Sequence, residues 1–166
     1  MKLLLVRHAH AVDLGFDGIG RDFDRYLSPK GLKQASALAE GLKARGVVPS
    51  AVVTSPLVRA KQTAEPLAAL LERNVNLMVD CEYLSTEGFR AKKLSKFVED
   101  LGGDLVVLVG HQPDLGGYLG SLLSPEAFPL PMAKGGAALV DCPAGIAPGE
   151  GELLWYVTPD WYLKGP

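Results

Sequence analysis

A chain of 166 residues, 48% hydrophobic and 22% charged, has the balance of a globular domain and is long enough to bury about two-thirds of its unfolded surface. A formal net charge of −2 and a pI of about 5.9 withhold the basic footprint that nucleic acids and anionic membranes demand, leaving room only for a local positive pocket. Cys81 and Cys142 are too few for a disulfide scaffold or a zinc cage, and no apolar run suits a signal peptide or a membrane span, so one reduced cytoplasmic domain over residues 1–166 is expected.

Leu3, Leu4, Leu5 and Val6 are apolar without alternation, and Lys2–Val6 predicts a buried strand. Asp13–Tyr26 (DLGFDGIGRDFDRY) is rich in Gly and Asp, has no period, and is expected to be a loop. Ser28-Pro29 predicts a helix start, with Ser as N-cap and Pro at the first helical position. Leu32, Ala35, Leu38, Ala39 and Leu42 then recur at helical spacing, and Gly46 closes the element. Ser50–Thr54 predicts a second short strand. Ser55-Pro56 repeats the capping device before another helix, in which Pro66 predicts a kink or restart. Lys92–Leu101 has helical character and ends at Gly102-Gly103. Leu105–Val109 (LVVLV) is the most strand-like run, and Asp114 is expected to cap a helix reaching about Leu123. Gly136–Cys142 and Glu152–Thr158 predict two late strands joined by a Gly/Pro-rich turn. Strands alternating with helices imply an α/β sandwich around a mostly parallel sheet.

Three of these strands are followed at once by polar residues that a buried strand does not need. The first delivers Arg7 and His8, the second Ser55 and, one helical turn on, Arg59, and the LVVLV strand delivers Gly110 and His111. Ligands of open α/β sheets bind at the carboxyl ends of the strands. If these strands are neighbours, two arginines and two histidines converge there, beside the N–H-rich starts of two helices. Such a pocket suits a compact dianion, with phosphate the natural candidate and the arginine fork its natural partner.

Those residues carry a family resemblance. L-V-R-H-A at 5–9, L-S-P-K-G-L-K-Q-A at 27–35, S-P-L-V-R-A-K-Q-T-A-E at 55–65 and V-G-H-Q-P-D-L-G-G-Y-L at 109–119 resemble the histidine phosphatase superfamily, which includes the cofactor-dependent phosphoglycerate mutases and the acid phosphatases. With its short length, the chain is most similar in kind to the SixA-type phosphohistidine phosphatases. The resemblance implies a phosphoglycerate mutase-like three-layer α/β sandwich with flanking helices. It implies that His8 is the nucleophile and forms a transient phosphohistidine. It implies that Arg7, Arg59 and His111 bind the phosphoryl oxygens; from its place after the second strand, the Ser55 hydroxyl is also expected within reach of phosphate. No metal or cofactor is implied. Independent chemistry agrees: phosphoryl transfer needs positioning and charge stabilisation, and a neutral imidazole is a competent nucleophile near pH 7.

The sequence departs from the family pattern in two places. Ala9 stands where the motif usually has Gly, at a tight backbone approach. The central loop, CEYLSTEGF, offers Glu82 and Glu87 as candidate acids, neither in a fixed motif. A missing general acid forfeits about 10²–10⁴-fold in rate. An imidazole leaving group, with an ordinary pKa of about 6.5, tolerates that loss better than an alkoxide. The expected activity is therefore hydrolysis of phosphohistidine on a partner protein, with inorganic phosphate or its analogues as pocket ligands. The alternative is a small-molecule phosphomonoesterase of the same superfamily, which a usable Glu82 or Glu87 would favour. A phosphoglycerate mutase ranks lower because such mutases carry larger insertions. A catalytically idle phosphate-sensing module is the reading from another class.

Plainer roles stand beside these. Arg7 and His8 alone could be a structural pair at a strand end, and Ser55 a helix cap. No G-x-S-x-G elbow supports a serine hydrolase. His8 and His10 share a strand face, but three histidines in all are thin material for a metal site, so His10 is expected at the rim or facing solvent. Gln112 and Lys134 are expected to be solvated, Asp114 a cap, Glu82 and Glu87 surface carboxylates by default, and Tyr118, Trp155 and Tyr156 core or half-buried aromatics.

Overall fold

The computed structural model describes residues 1–71, 77–126 and 128–163. Its strands are β1 (Lys2–Arg7), β2 (Ala51–Thr54), β3 (Met78–Asp80), β4 (Leu105–Gly110), β5 (Ala137–Asp141) and β6 (Glu152–Val157). They form one sheet in the order β3-β2-β4-β1-β5-β6. Pairings β3–β2, β2–β4 and β4–β1 are parallel, whereas β5 and β6 run antiparallel at one edge. The sheet is thus mixed, with a parallel centre as expected.

The helices are α1 (Pro29–Lys43), α2 (Val58–Ala68), α3 (Ala91–Leu101), α4 (Asp114–Leu123) and the short α5 (Pro159–Tyr162). Both faces of the sheet are covered. Leu4, Val6, Val52, Val107 and Val109 pack against Leu38, Leu42, Ala60, Ala64 and Leu67 of α1 and α2. On the other face, Leu3, Leu5, Val53, Val106 and Leu108 pack against Leu94 and Val98 of α3 and Leu115, Leu119 and Leu122 of α4. That double coverage is why β1 and β4 are unbroken apolar runs. Among the described residues, no helix is long and apolar enough to cross a membrane.

Ser28 caps α1 as its sequence predicts, its Oγ accepting from Gly31 N at 3.2 Å, and Pro29 follows at the first helical position. The buried face of α1 differs slightly from the expected one: Leu32 is 51% exposed, while Gly31 and Gln34 are buried. The Ser55-Pro56 start is corrected. α2 begins only at Val58, with Leu57 as N-cap and no side-chain cap, and Ser55 lies upstream of the cap position, directly after β2. Pro66 sits in the last turn of α2 without dividing it. Asp114 is likewise no cap; it is the first residue of α4, after Pro113. Three elements went unread: β3, a 3-10 turn at Glu82–Leu84 and α5. The expected loop over Asp13–Tyr26 holds two 3-10 turns, Phe16–Gly18 and Asp22–Asp24.

Candidate functional site

Register brings the polar residues together. Arg7 pairs with Gly110 across β1 and β4, so His8 and His111 emerge side by side at the carboxyl ends of central strands. The ladder continues past the strands: His8 N donates to Gly110 O at 3.0 Å, and Ser55 N donates to Val109 O at 2.9 Å. The two imidazoles lie 5.0 Å apart, centroid to centroid.

His8 is buried, and its ring orientation is fixed. Nδ1 lies 2.8 Å from Ala9 O, and a carbonyl can only accept, so Nδ1 carries the proton. Nε2 therefore holds the lone pair. Arg59 Nε donates to that atom at 3.3 Å. Burial first, then the neighbouring His111, lowers the His8 pKa to about 3. Burial and the positive field of Arg59 lower His111 to about 3 as well. Both rings are neutral near pH 7.

Arg59 is buried in α2. Its Nη1 donates to Asp22 O at 2.6 Å and its Nη2 to Asp22 Oδ2 at 2.8 Å. Asp22 also accepts from Arg25 Nη1 at 2.9 Å. Burial pushes the Asp22 carboxyl up, but bonds from Arg25 and Arg59 outweigh it and hold its pKa below the ordinary value. Arg7, half-buried, donates from Nη1 to Met132 O at 2.6 Å. Arg7 Nε and His111 Nδ1 are buried without a hydrogen-bond partner among the described residues. Buried donors are nearly always satisfied, so the orphaned Arg7 Nε, beside a second guanidinium, is a donor that a bound oxyanion would satisfy.

Ser55 is fully buried, and its Oγ lies 2.8 Å from His111 Nε2 and accepts from Leu57 N at 3.4 Å. Ala9 is fully buried against Leu27 and Ala35, so the methyl that replaces the usual glycine hydrogen fits. His10 is half-buried, not solvent-facing: its Nδ1 meets Ser28 Oγ at 2.8 Å. Tyr118 is buried, as expected, and Trp155 is half-buried, but Tyr156 is 38% exposed. Glu82 and Glu87 line a groove of about 470 Å³ with Asp22, Phe23, Leu57 and Ser85, beside the Asp22–Arg59 pair. Among the described residues, neither carboxylate bonds to Arg7, His8, Arg59 or His111, and no cluster of three metal-ligating side chains occurs. A second cavity, about 340 Å³ between α1 and β6, contains none of these four residues.

Asp22, Thr63 and Gln34 escaped the sequence reading. Thr63 Oγ1 accepts from Ala9 N at 3.0 Å and donates to Arg59 O at 2.7 Å, tying His8's neighbour to α2. Gln34 Oε1 accepts from His10 N at 2.9 Å. The legible signal for Thr63 was its place one helical turn after Arg59 on the buried face.

Comparison with known proteins identifies a family. Residues 3–82 match the model of the histidine phosphatase superfamily (branch 1). An uncharacterized protein of Picosynechococcus sp. is 31% identical over 98% of this chain and 99% of its own length. The chain belongs to the histidine phosphatase superfamily. This superfamily member also resembles the protein histidine phosphatase SixA solved with tungstate, at a TM-score of 0.82 and 26% identity over 99% of this chain and 100% of the other. A phosphoserine phosphatase of Entamoeba histolytica, solved with phosphoserine, has a TM-score of 0.68 at 17% identity over 95% of this chain and 97% of its own, a likeness of fold alone. The expected phosphoglycerate mutase-like α/β fold is thus the observed one.

Proposed function

We propose that this protein is a phosphatase that hydrolyses phosphohistidine on a partner protein through a covalent intermediate on His8. The observation that carries the reading is the His8 ring itself, with Nδ1 held by Ala9 O and the Nε2 lone pair left facing Arg59. His8 Nε2 attacks the phosphorus of the bound phosphoryl group, and the P–N bond to the substrate ring breaks. When the other nitrogen of that ring carries a proton, it leaves as neutral imidazole. Phospho-His8 is then cationic, with Nδ1–H still on Ala9 O. Water attacks its phosphorus, the P–Nε2 bond breaks, and neutral His8 and dihydrogen phosphate result. Arg7, Arg59 and His111 supply donors for the equatorial oxygens, where charge stabilisation matters most.

The substrate class rests on where the two candidate acids stand. Neither Glu82 nor Glu87 bonds to the four site residues among those described, which suits a leaving group that needs little protonation. The 26% identical SixA structure supports the same choice. A second reading, a small-molecule phosphomonoesterase, draws on those carboxylates lining the adjoining groove.

The test compares phosphate release from a phosphohistidine-bearing domain and from a simple phosphate monoester, with chelator present, for wild type and His8→Ala. Release from phosphohistidine alone, lost in the variant together with acid-labile phosphate on the enzyme, is expected. Equal or faster release from the monoester would move the assignment to the second reading. No acid-labile phosphate with any donor would remove both.

A further inference from the structure

We propose that Ser55 is a positioning residue that fixes the ring tautomer of His111, keeping the proton on Nδ1 and aiming a donor at the transferring phosphoryl group. The inference rests on the reading of this site as a phosphoryl-transfer centre.

The argument is a count of donors and acceptors. Ser55 is fully buried, so its hydroxyl cannot turn to water. Its Oγ has two neighbours, Leu57 N at 3.4 Å and His111 Nε2 at 2.8 Å. Leu57 N–H can only donate, so it takes a lone pair of Oγ. The hydroxyl hydrogen then has one acceptor within reach among the described residues, His111 Nε2. A nitrogen that accepts carries no proton of its own. In a neutral imidazole the proton must then sit on Nδ1. That atom is buried and has no partner among the described residues.

The opposite assignment fails the same count. With the proton on Nε2, Ser55 Oγ would accept twice and its own hydrogen would be buried unmade. His111 Nδ1 would then carry a lone pair on a ring that lies 5.0 Å from that of His8 and in the field of both arginines. That lone pair would repel a phosphoryl oxygen, whereas Nδ1–H attracts it. His111 stays neutral near pH 7, since burial and Arg59 lower its pKa to about 3, so the choice of tautomer is consequential.

The two histidines of the site are therefore set by opposite devices. A backbone carbonyl that can only accept holds the proton of His8 on the side away from the nucleophilic nitrogen. A hydroxyl with one free hydrogen holds the proton of His111 on its unpartnered nitrogen. One ring is prepared as a nucleophile and the other as a donor.

The experiment is long-range 15N–1H correlation of the histidine rings in the full-length protein at pH 7, with and without inorganic phosphate, paired with calorimetric titration of phosphate. Wild-type His111 is expected to show the Nδ1–H pattern. Ser55→Ala is expected to move His111 to the Nε2–H form or a mixture, and to weaken phosphate about two- to tenfold, the worth of one net hydrogen bond. An Nε2–H pattern in wild type would overturn the inference, and that measurement stands even if the variant does not fold. Retention of Nδ1–H in Ser55→Ala with unchanged phosphate affinity would overturn it too. The ring spectra need no turnover, so they fail or hold separately from the assignment of activity.

Discussion

Asp22 Oδ2 sits 2.8 Å from Arg59 Nη2, on the same edge of the guanidinium as the Nε–H that meets His8. Nε and Nη2 form the fork that binds an oxyanion bidentately. A loop carboxylate therefore holds one tine of the fork that a phosphoryl group bound there would need. The Arg59 side chain is 4% exposed and that of Asp22 49%, so the pair is half-solvated and worth about 1 kcal/mol at most.

Asp22→Asn removes a negative charge that competes with a dianion and leaves the Asp22 backbone bond to Arg59 in place. The variant is expected to bind inorganic phosphate or tungstate about three- to tenfold more tightly than wild type. Isothermal titration decides it. Weaker binding would mean that Asp22 serves Arg59 by orienting it rather than by competing for it.

The histidines make stability depend on acid. His8 and His111 have folded-state pKa values near 3, against an ordinary value near 6.5. Between those values the unfolded chain holds more protons. Stability is thus full above about pH 6.5 and declines toward pH 3, by up to about 1.4 kcal/mol per pH unit for each histidine. Urea unfolding at pH 7 and pH 5 should show a shallower pH slope for His111→Gln than for wild type. Equal slopes would show that the ring is not held neutral by its burial.

Much of this was legible, for definable reasons. Leu3–Val6 and Val106–Val109 are buried on both faces and so are apolar at every position. Arg7, His8 and His111 stand out because each follows such a run, and Arg59 because it stands one helical turn after Ser55, at the end of another strand. What stayed hidden depends on contacts distant in sequence. Asp22 is one of several aspartates in a loop without period, and only folding sets it against Arg59, 37 positions away. Ser55-Pro56 imitates a cap, but the helix starts only at Val58, and the same hydroxyl meets a histidine 56 positions away that only folding brings near. The strand Met78–Asp80 is three residues at the sheet edge, with Met78 and Val79 half-buried and Asp80 exposed, too short to show any pattern.

Gly31 is the contact point between α1 and the segment after His8. A Cβ there would collide with His10 O, a backbone atom with nowhere to go. Gly31→Ala is expected to cost about 1–3 kcal/mol, read as a lower melting temperature, and to disturb the bond between His10 N and Gln34. An unchanged melting temperature would show that the two segments can part freely.

Ala9 gives a smaller effect. Ala9→Gly strips a methyl from the cluster with Leu27 and Ala35 and loosens the backbone beside His8, at a cost of about 1–2 kcal/mol. The bond from Ala9 N to Thr63 survives the change, so phosphate affinity should hold within about twofold while stability falls. Chemical denaturation and phosphate titration of one sample separate the two.

The place of β4 has a consequence for how the molecule comes into being. It lies between β1 and β2 in space, yet follows both by some fifty residues or more along the chain. Until it is threaded between them, Arg7 and His8 have no fixed distance from Ser55 and Arg59. A ribosome that has released only the first hundred residues has made three of the four key side chains and no site. His111 rides on the strand that closes that gap. The four side chains are therefore brought together only when β4 has paired with both β1 and β2, before β5 has even been made, and a chain that stops short of β4 holds no such pocket.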